Sequence, residues 1–137
     1  MMGGEKMNGI KYENIIMGKS FELAVGIVEL YKNLIYKKKE YVLSKQLVKS
    51  GTSIGANVNE AQAAQSRVDF IAKMSIASKE ARETKYWIEL LIATNYLNPN
   101  DEQVAMLRSQ IDEIIKLLTS IVKTTQKNKT CKKNVQK

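Results

Sequence analysis

Leu43-Ser44-Lys45-Gln46-Leu47-Val48-Lys49-Ser50-Gly51-Thr52-Ser53-Ile54-Gly55-Ala56-Asn57-Val58-Asn59-Glu60-Ala61 is the stretch on which the fold turns. Its small and hydroxyl-bearing residues have the composition of a loop, yet Leu43, Leu47, Ile54, Val58 and Ala61 keep the 4/3 spacing of one helix face through it. We read a helix. A glycine inside a helix costs about 1 kcal/mol relative to alanine. Gly51 and Gly55, with Ser50, Thr52 and Ser53 beside them, therefore imply close packing against a neighbour, and Ala56 extends the small surface.

Upstream, Met1 to Gly9 is Gly-rich and aperiodic and is expected to be disordered, part of a flexible segment over 1–17. From about Gly18 to Tyr36 the residues Phe21, Leu23, Ala24, Val25, Ile27, Val28, Leu30, Tyr31, Leu34 and Ile35 predict a helix with a broad buried stripe, leaving Glu22, Glu29, Lys32 and Asn33 for solvent. Lys37-Lys38-Lys39-Glu40 reads as a charged connection, with Ser44 as N-cap of the helix that follows. Downstream, Ser66-Arg67-Val68-Asp69 matches a capping box, with the Ser66 hydroxyl and the Asp69 carboxylate satisfying early amides. It opens a helix whose stripe runs through Phe70, Met74, Ala77, Ala81, Thr84, Ile88 and Leu91, about 40 Å at 1.5 Å per residue. Asn98-Pro99-Asn100-Asp101 is a turn, and Val104, Leu107, Ile111, Ile114, Leu118 and Ile121 mark a fourth helix to about Thr125. Residues 126–137 are too polar to repay their ordering entropy and read as a disordered Lys-rich tail. Four amphipathic helices with short connections make an all-α, antiparallel up-down-up-down four-helix bundle over 18–125.

Composition limits what such a bundle can do. Among 137 residues there is no histidine and one cysteine, Cys131, so Ser-His and Cys-His nucleophile pairs, imidazole acid-base chemistry, a disulfide framework and His- or Cys-based metal sites are all excluded. No apolar run reaches membrane-spanning length and no secretory signal is evident, so the expected compartment is the cytoplasm, with no membrane partner. The net charge of +8 is unevenly distributed. Six lysines and no acid fall in 123–137, leaving 16 bases against 14 acids upstream.

Two polar rows border the predicted core. Ser53, Asn57 and Glu60 share a flank of the second helix, and Glu80, Glu83 and Trp87 share a flank of the third. Facing each other, Ser53, Asn57, Glu60, Glu80 and Glu83 would form a polar network that fixes helix register. A partner-binding or subunit interface is the second reading and a dimetal centre the third. The dimetal centre fails where Glu80-Ala81-Arg82-Glu83 lacks the histidine of the Glu-x-x-His pair, so no metal, cofactor or catalytic residue is expected. Candidate nucleic-acid contacts are Lys45 and Lys49 on the second helix, Arg67, Arg82 and Lys85 on the third, and Lys123, Lys127, Lys129, Lys132 and Lys133 toward the C-terminus. Each also has an ordinary reading as solvated surface; Lys85 has Glu89 at i+4, and the tail can serve solubility alone. Trp87 at its helical position reads as a core or interface anchor rather than a base-stacking platform.

The stretch from Leu43 to Ala61, together with Ser66-Arg67-Val68-Asp69-Phe70-Ile71 and Ala77-Ser78-Lys79-Glu80-Ala81-Arg82-Glu83-Thr84-Lys85-Tyr86-Trp87-Ile88 in the same order, resembles the 23S rRNA intervening-sequence family of small bacterial four-helix bundle proteins. The likeness runs from about Phe21 to Ile121 and omits the Lys-rich tail. It implies a four-helix bundle, a ring-like homo-oligomer with a pentamer as the expected form, and no enzymatic activity. Bundles related to this family serve as accessory proteins of the reverse transcriptases of diversity-generating retroelements, where they bind polymerase and nucleic acid. Three functions follow as expectations. The first is a non-enzymatic homo-oligomer that binds RNA or DNA through charge and shape. The second is a protein-interaction scaffold with a partner such as a reverse transcriptase, and the third, with least support, is a carboxylate metalloenzyme.

Overall fold

The computed structural model describes residues 4–135, with side chains over 14–128. Among these residues the chain forms four helices, α1 (Gly4–Tyr36), α2 (Leu43–Gln62), α3 (Arg67–Ala93) and α4 (Glu102–Val135), and no strand. The helices pack in a closed cycle, α1 on α2, α2 on α3, α3 on α4 and α4 on α1. Their directions follow from which residues meet. Ser50 and Glu60 of α2 reach Thr84 and Lys73 of α3, and Glu89, Lys85 and Arg82 of α3 reach Arg108, Asp112 and Thr119 of α4. As numbers rise on one helix they fall on the next, which is the antiparallel bundle the periodicity predicts.

The core sits on the axis of this cycle. Leu47, Ile54, Val58 and Ala61 of α2 are buried there against Leu23, Ile27, Leu30 and Leu34 of α1, Met74, Ala77, Ala81, Ile88 and Leu91 of α3, and Val104 through Leu118 of α4 at heptad spacing.

Both outer helices exceed the expected lengths. Among the described side chains of α1 the buried positions are Ile16, Ser20, Leu23, Ile27, Leu30 and Leu34, an unbroken 4/3 series. Ser20 takes a core slot by donating its hydroxyl to Met17 O at 3.1 Å, so a count of apolar residues alone starts the stripe too late. The helix begins at Gly4 rather than near Gly18, and Met1 to Gly3 lie outside the described residues. At the other end α4 continues to Val135 instead of stopping near Thr125. No proline or glycine follows Glu102 to break it, and lysines near a helix C-terminus oppose the macrodipole favourably.

The connections are tight. After α1, Lys39 takes φ 58° and the Glu40 amide donates to Leu34 O at 2.9 Å. The N-terminus of α2 is capped by Glu40 and not by Ser44. The Glu40 carboxylate accepts from the amides of Ser44, Leu43 and Val42 at 2.7, 2.8 and 3.1 Å, while the Ser44 hydroxyl, one residue inside the helix, donates to Glu40 O. A glutamate four residues ahead of Ser44 escapes a search for Ser, Thr, Asp or Asn at the cap position. Before α3 the hydroxyl half of the Ser66–Asp69 box forms, with the Asp69 amide donating to Ser66 Oγ at 3.1 Å. Asp101 caps α4 by accepting from the Gln103 and Val104 amides.

Candidate nucleic-acid interface

The Gly-rich face of α2 meets α1. A Cβ at Gly51 would stand 2.8 Å from Ile27 Cγ2 and 3.0 Å from its Cγ1, so the approach requires glycine there. Gly55 has Ser20 O at 3.5 Å from the same construction, an ordinary contact. Ala56 is exposed on the outer surface and takes no part in close approach.

The proposed polar network divides. Asn57 donates to Ser53 O and Oγ, at 2.9 and 3.1 Å, within α2. Glu60 is exposed and pairs with Lys73 of α3 at 3.3 Å. Glu83 accepts from the Trp87 indole at 3.3 Å along α3, and Trp87 packs partly buried against the core, edge-on to the Tyr86 ring. Glu80 takes part through its carbonyl, which accepts from the Thr84 hydroxyl at 2.8 Å. The polar link that crosses from α2 to α3 in the core joins Ser50 and Thr84, whose hydroxyl oxygens are hydrogen-bonded at 3.0 Å. Both residues are buried, at positions the periodicity assigns to the core, so polarity at a core slot was the signal available in the sequence. Among the described residues no group of three acidic or cysteine side chains is placed to hold a metal ion.

The basic residues also separate. Lys45 and Lys49 are exposed on α2, which packs on α1 and α3 and not on α4. Lys85 is taken by Asp112 of α4 at 2.7 Å rather than by Glu89. Glu89 instead receives Arg108 Nε and Nη2, each at 2.8 Å, and that hydrogen-bonded carboxylate raises the Arg108 pKa further above its ordinary value. Lys19 reaches Glu113 at 2.8 Å.

Like Lys37, Lys38, Lys39, Lys45, Lys49, Lys79 and Lys116, the candidates Arg67, Arg82, Lys123 and Lys127 are exposed and outside ion pairs among the described residues. Three of these candidates come together along the seam between α3 and α4. A groove of about 280 Å³ is lined by Ser75, Ser78 and Arg82 of α3 with Thr119, Val122, Lys123 and Gln126 of α4. Toward the α2–α3 turn, a second of about 410 Å³ is lined by Ser66, Arg67 and Phe70 with Thr125 and Asn128, closed by Ala64 and Gln65. Arg82 Nη2 donates to Thr119 Oγ1 at 3.2 Å, which holds the guanidinium over the seam without neutralising it. No carboxylate lines either groove. Lys127 is exposed on the same end of α4, and the side chains of Lys129, Lys132 and Lys133 lie outside the described residues. Charge alone names Arg67, Arg82 and Lys123 but not the seam that joins them, because most of its lining is Ser, Thr, Asn and Gln. The readable signal is the recurrence of those types at helical spacing with no acid among them, at Ser75 and Ser78 on α3 and at Thr119 and Gln126 on α4.

Fold and surface together define an antiparallel four-helix bundle with a basic, hydroxyl-lined seam on one side. The chain belongs to the 23S rRNA-intervening sequence protein family, whose model matches residues 12–120. It is similar, at 54% identity and a TM-score of 0.77, to the crystal structure of a protein of unknown function of the S23 ribosomal protein family from Bacteroides thetaiotaomicron VPI-5482, over 82% of this chain and 98% of that one. Comparison with curated proteins gives no match. Among the described residues no helix is long and apolar enough to cross a membrane.

Proposed function

We propose that this protein is a non-enzymatic homo-oligomer that binds RNA or other nucleic acid through charge and shape. The observation that carries the reading is the seam: Arg67, Arg82 and Lys123, none of them in an ion pair among the described residues, line grooves between α3 and α4 whose lining holds no carboxylate. Backbone phosphates supply most non-specific affinity, and they are neutralised by lysine and arginine side chains not already held by a carboxylate. Filter binding against salt concentration tests the reading. If the lysines of 123–137 engage about six phosphates of a single strand, the logarithmic salt slope is about −4, and a fourfold rise in salt weakens binding several-hundredfold. No retention on the filter at low salt overturns it.

A second reading, a scaffold for a protein partner such as a reverse transcriptase, draws on exposed apolar surface. Phe21 and Val25, four residues apart on α1, are 70% and 50% exposed. Co-purification of one specific protein that survives nuclease would favour it. In the homo-oligomer, for which a pentamer is the form proposed, the same surface is covered by another copy of the chain.

A further inference from the structure

We infer that the seam between α3 and α4 is a seat for a single strand of nucleic acid, with Arg67, Arg82 and Lys123 along its phosphates and Phe70 against a base. The inference rests on the nucleic-acid reading above and adds the site and the strandedness. Arg67 and Arg82 lie on one helix fifteen residues apart, a rise of about 22 Å, long enough for several nucleotides of an extended chain. Lys123 stands across the seam from Arg82, and Lys127 continues the positive charge along α4. The hydroxyls of Ser66, Ser75, Ser78 and Thr119 are neutral donors of the kind that position phosphate and sugar oxygens.

Strandedness follows from what the seam can admit. Packed helices lie about 8–10 Å apart, so the depression between two of them is narrower than a duplex, which would touch only its rim. An unpaired chain can enter. Phe70 sits one turn after Arg67, half-buried against the core with its remaining face in the wider groove. A positively charged track with an aromatic face beside it is the arrangement that holds single strands with little sequence preference, because every base has a face to stack. A paired base presents no free face to Phe70.

The test is fluorescence anisotropy of the full chain with ten-nucleotide poly-U and poly-dT, and with a ten-base-pair RNA duplex, at several salt concentrations. Variants are Arg67→Gln/Arg82→Gln, Phe70→Leu, and Lys45→Gln/Lys49→Gln as a control on α2. Retention of helical circular dichroism identifies folded variants, and the exposure of all four bases makes loss of fold in the charge variants unexpected. The single strands are expected to bind at least about tenfold more tightly than the duplex. Arg67→Gln/Arg82→Gln is expected to weaken them about tenfold and to flatten the salt slope by about 1.4, two phosphate contacts at 0.7 each. Phe70→Leu is expected to cost about tenfold at an unchanged slope, and the control to change little. Equal affinity for duplex overturns the strandedness. Binding that the seam variants leave intact and the α2 control weakens overturns the site, with the nucleic-acid reading left standing. Absence of binding to every probe overturns both.

Discussion

Glu40 is 7% exposed, and burial alone would raise its pKa; the amides of Leu43, Ser44 and Val42 reverse that balance and hold the carboxyl below its ordinary value of 4.5. A depressed folded-state pKa makes the charged group stabilising above the unfolded value, and that contribution is lost as pH falls through the folded value. Glu40→Ala is therefore expected to lower stability by about 1–2 kcal/mol at neutral pH. The gap to the parent should narrow below about pH 4.5, as urea titrations at successive pH values would show. The two glycines of α2 make a paired case. At Gly51 a Cβ would press on both γ carbons of Ile27, a fully buried β-branched side chain with a stiff χ1, so Gly51→Ala should destabilise. At Gly55 an added methyl meets ordinary contacts, and the higher helix propensity of alanine should stabilise by up to about 1 kcal/mol. Equal effects in chemical denaturation would remove close approach as the reason for Gly51.

Between α2 and α3 the buried polar link is a pair of small hydroxyls, whereas the longer polar side chains that flank them meet at the surface, as Glu60 and Lys73 do, or bond along their own helices. Ser50 and Thr84 bond to each other at 3.0 Å, and each also has a carbonyl of its own helix in reach, Leu47 O and Glu80 O. Removing one therefore leaves the other satisfied. Ser50→Ala and Thr84→Val should each cost about 1 kcal/mol, and the double variant less than the sum, a coupling that a double-mutant cycle measures. Additive costs would mean that the two hydroxyls stabilise their own helices only. The same pair explains what the sequence discloses about these elements. Apolar period fixes which face is inward and so yields four helices and their order; it is blind to a serine or threonine in a core slot, as at Ser20, Ser50 and Thr84. Spacing placed Ser53, Asn57, Glu80 and Glu83 on plausible flanks, but a side chain long enough to bond along its own helix does so, as Asn57 and Trp87 do. Which lysine meets which carboxylate is likewise set by the α3–α4 register, and that is why Lys85 finds Asp112 before Glu89.

The outer surface of the bundle is less polar than its ion pairs suggest. On α1 the exposed Phe21 and Val25 lie beside the half-buried Met17, Ala24 and Val28, so this helix is apolar over more than the face its neighbours cover. The seam lies between α3 and α4, and the exposed apolar residues of α1 are not among its lining. Self-association through α1 and a nucleic-acid strand in the seam can therefore coexist, and variants can separate them. Light scattering of the parent chain is expected to return a multiple of the 15.5 kDa subunit mass. Phe21→Asp/Val25→Asp places two charges on that surface while leaving Leu23 and Ile27 in the core, so it should give folded subunits of lower mass. Per subunit, their intrinsic affinity for a short single strand should stay within about threefold of the parent, whereas long strands should lose much more, because avidity needs several seams on one assembly. A parent of 15.5 kDa would refute the assembly, and loss of short-strand binding by folded monomers would join the seam to the subunit interface.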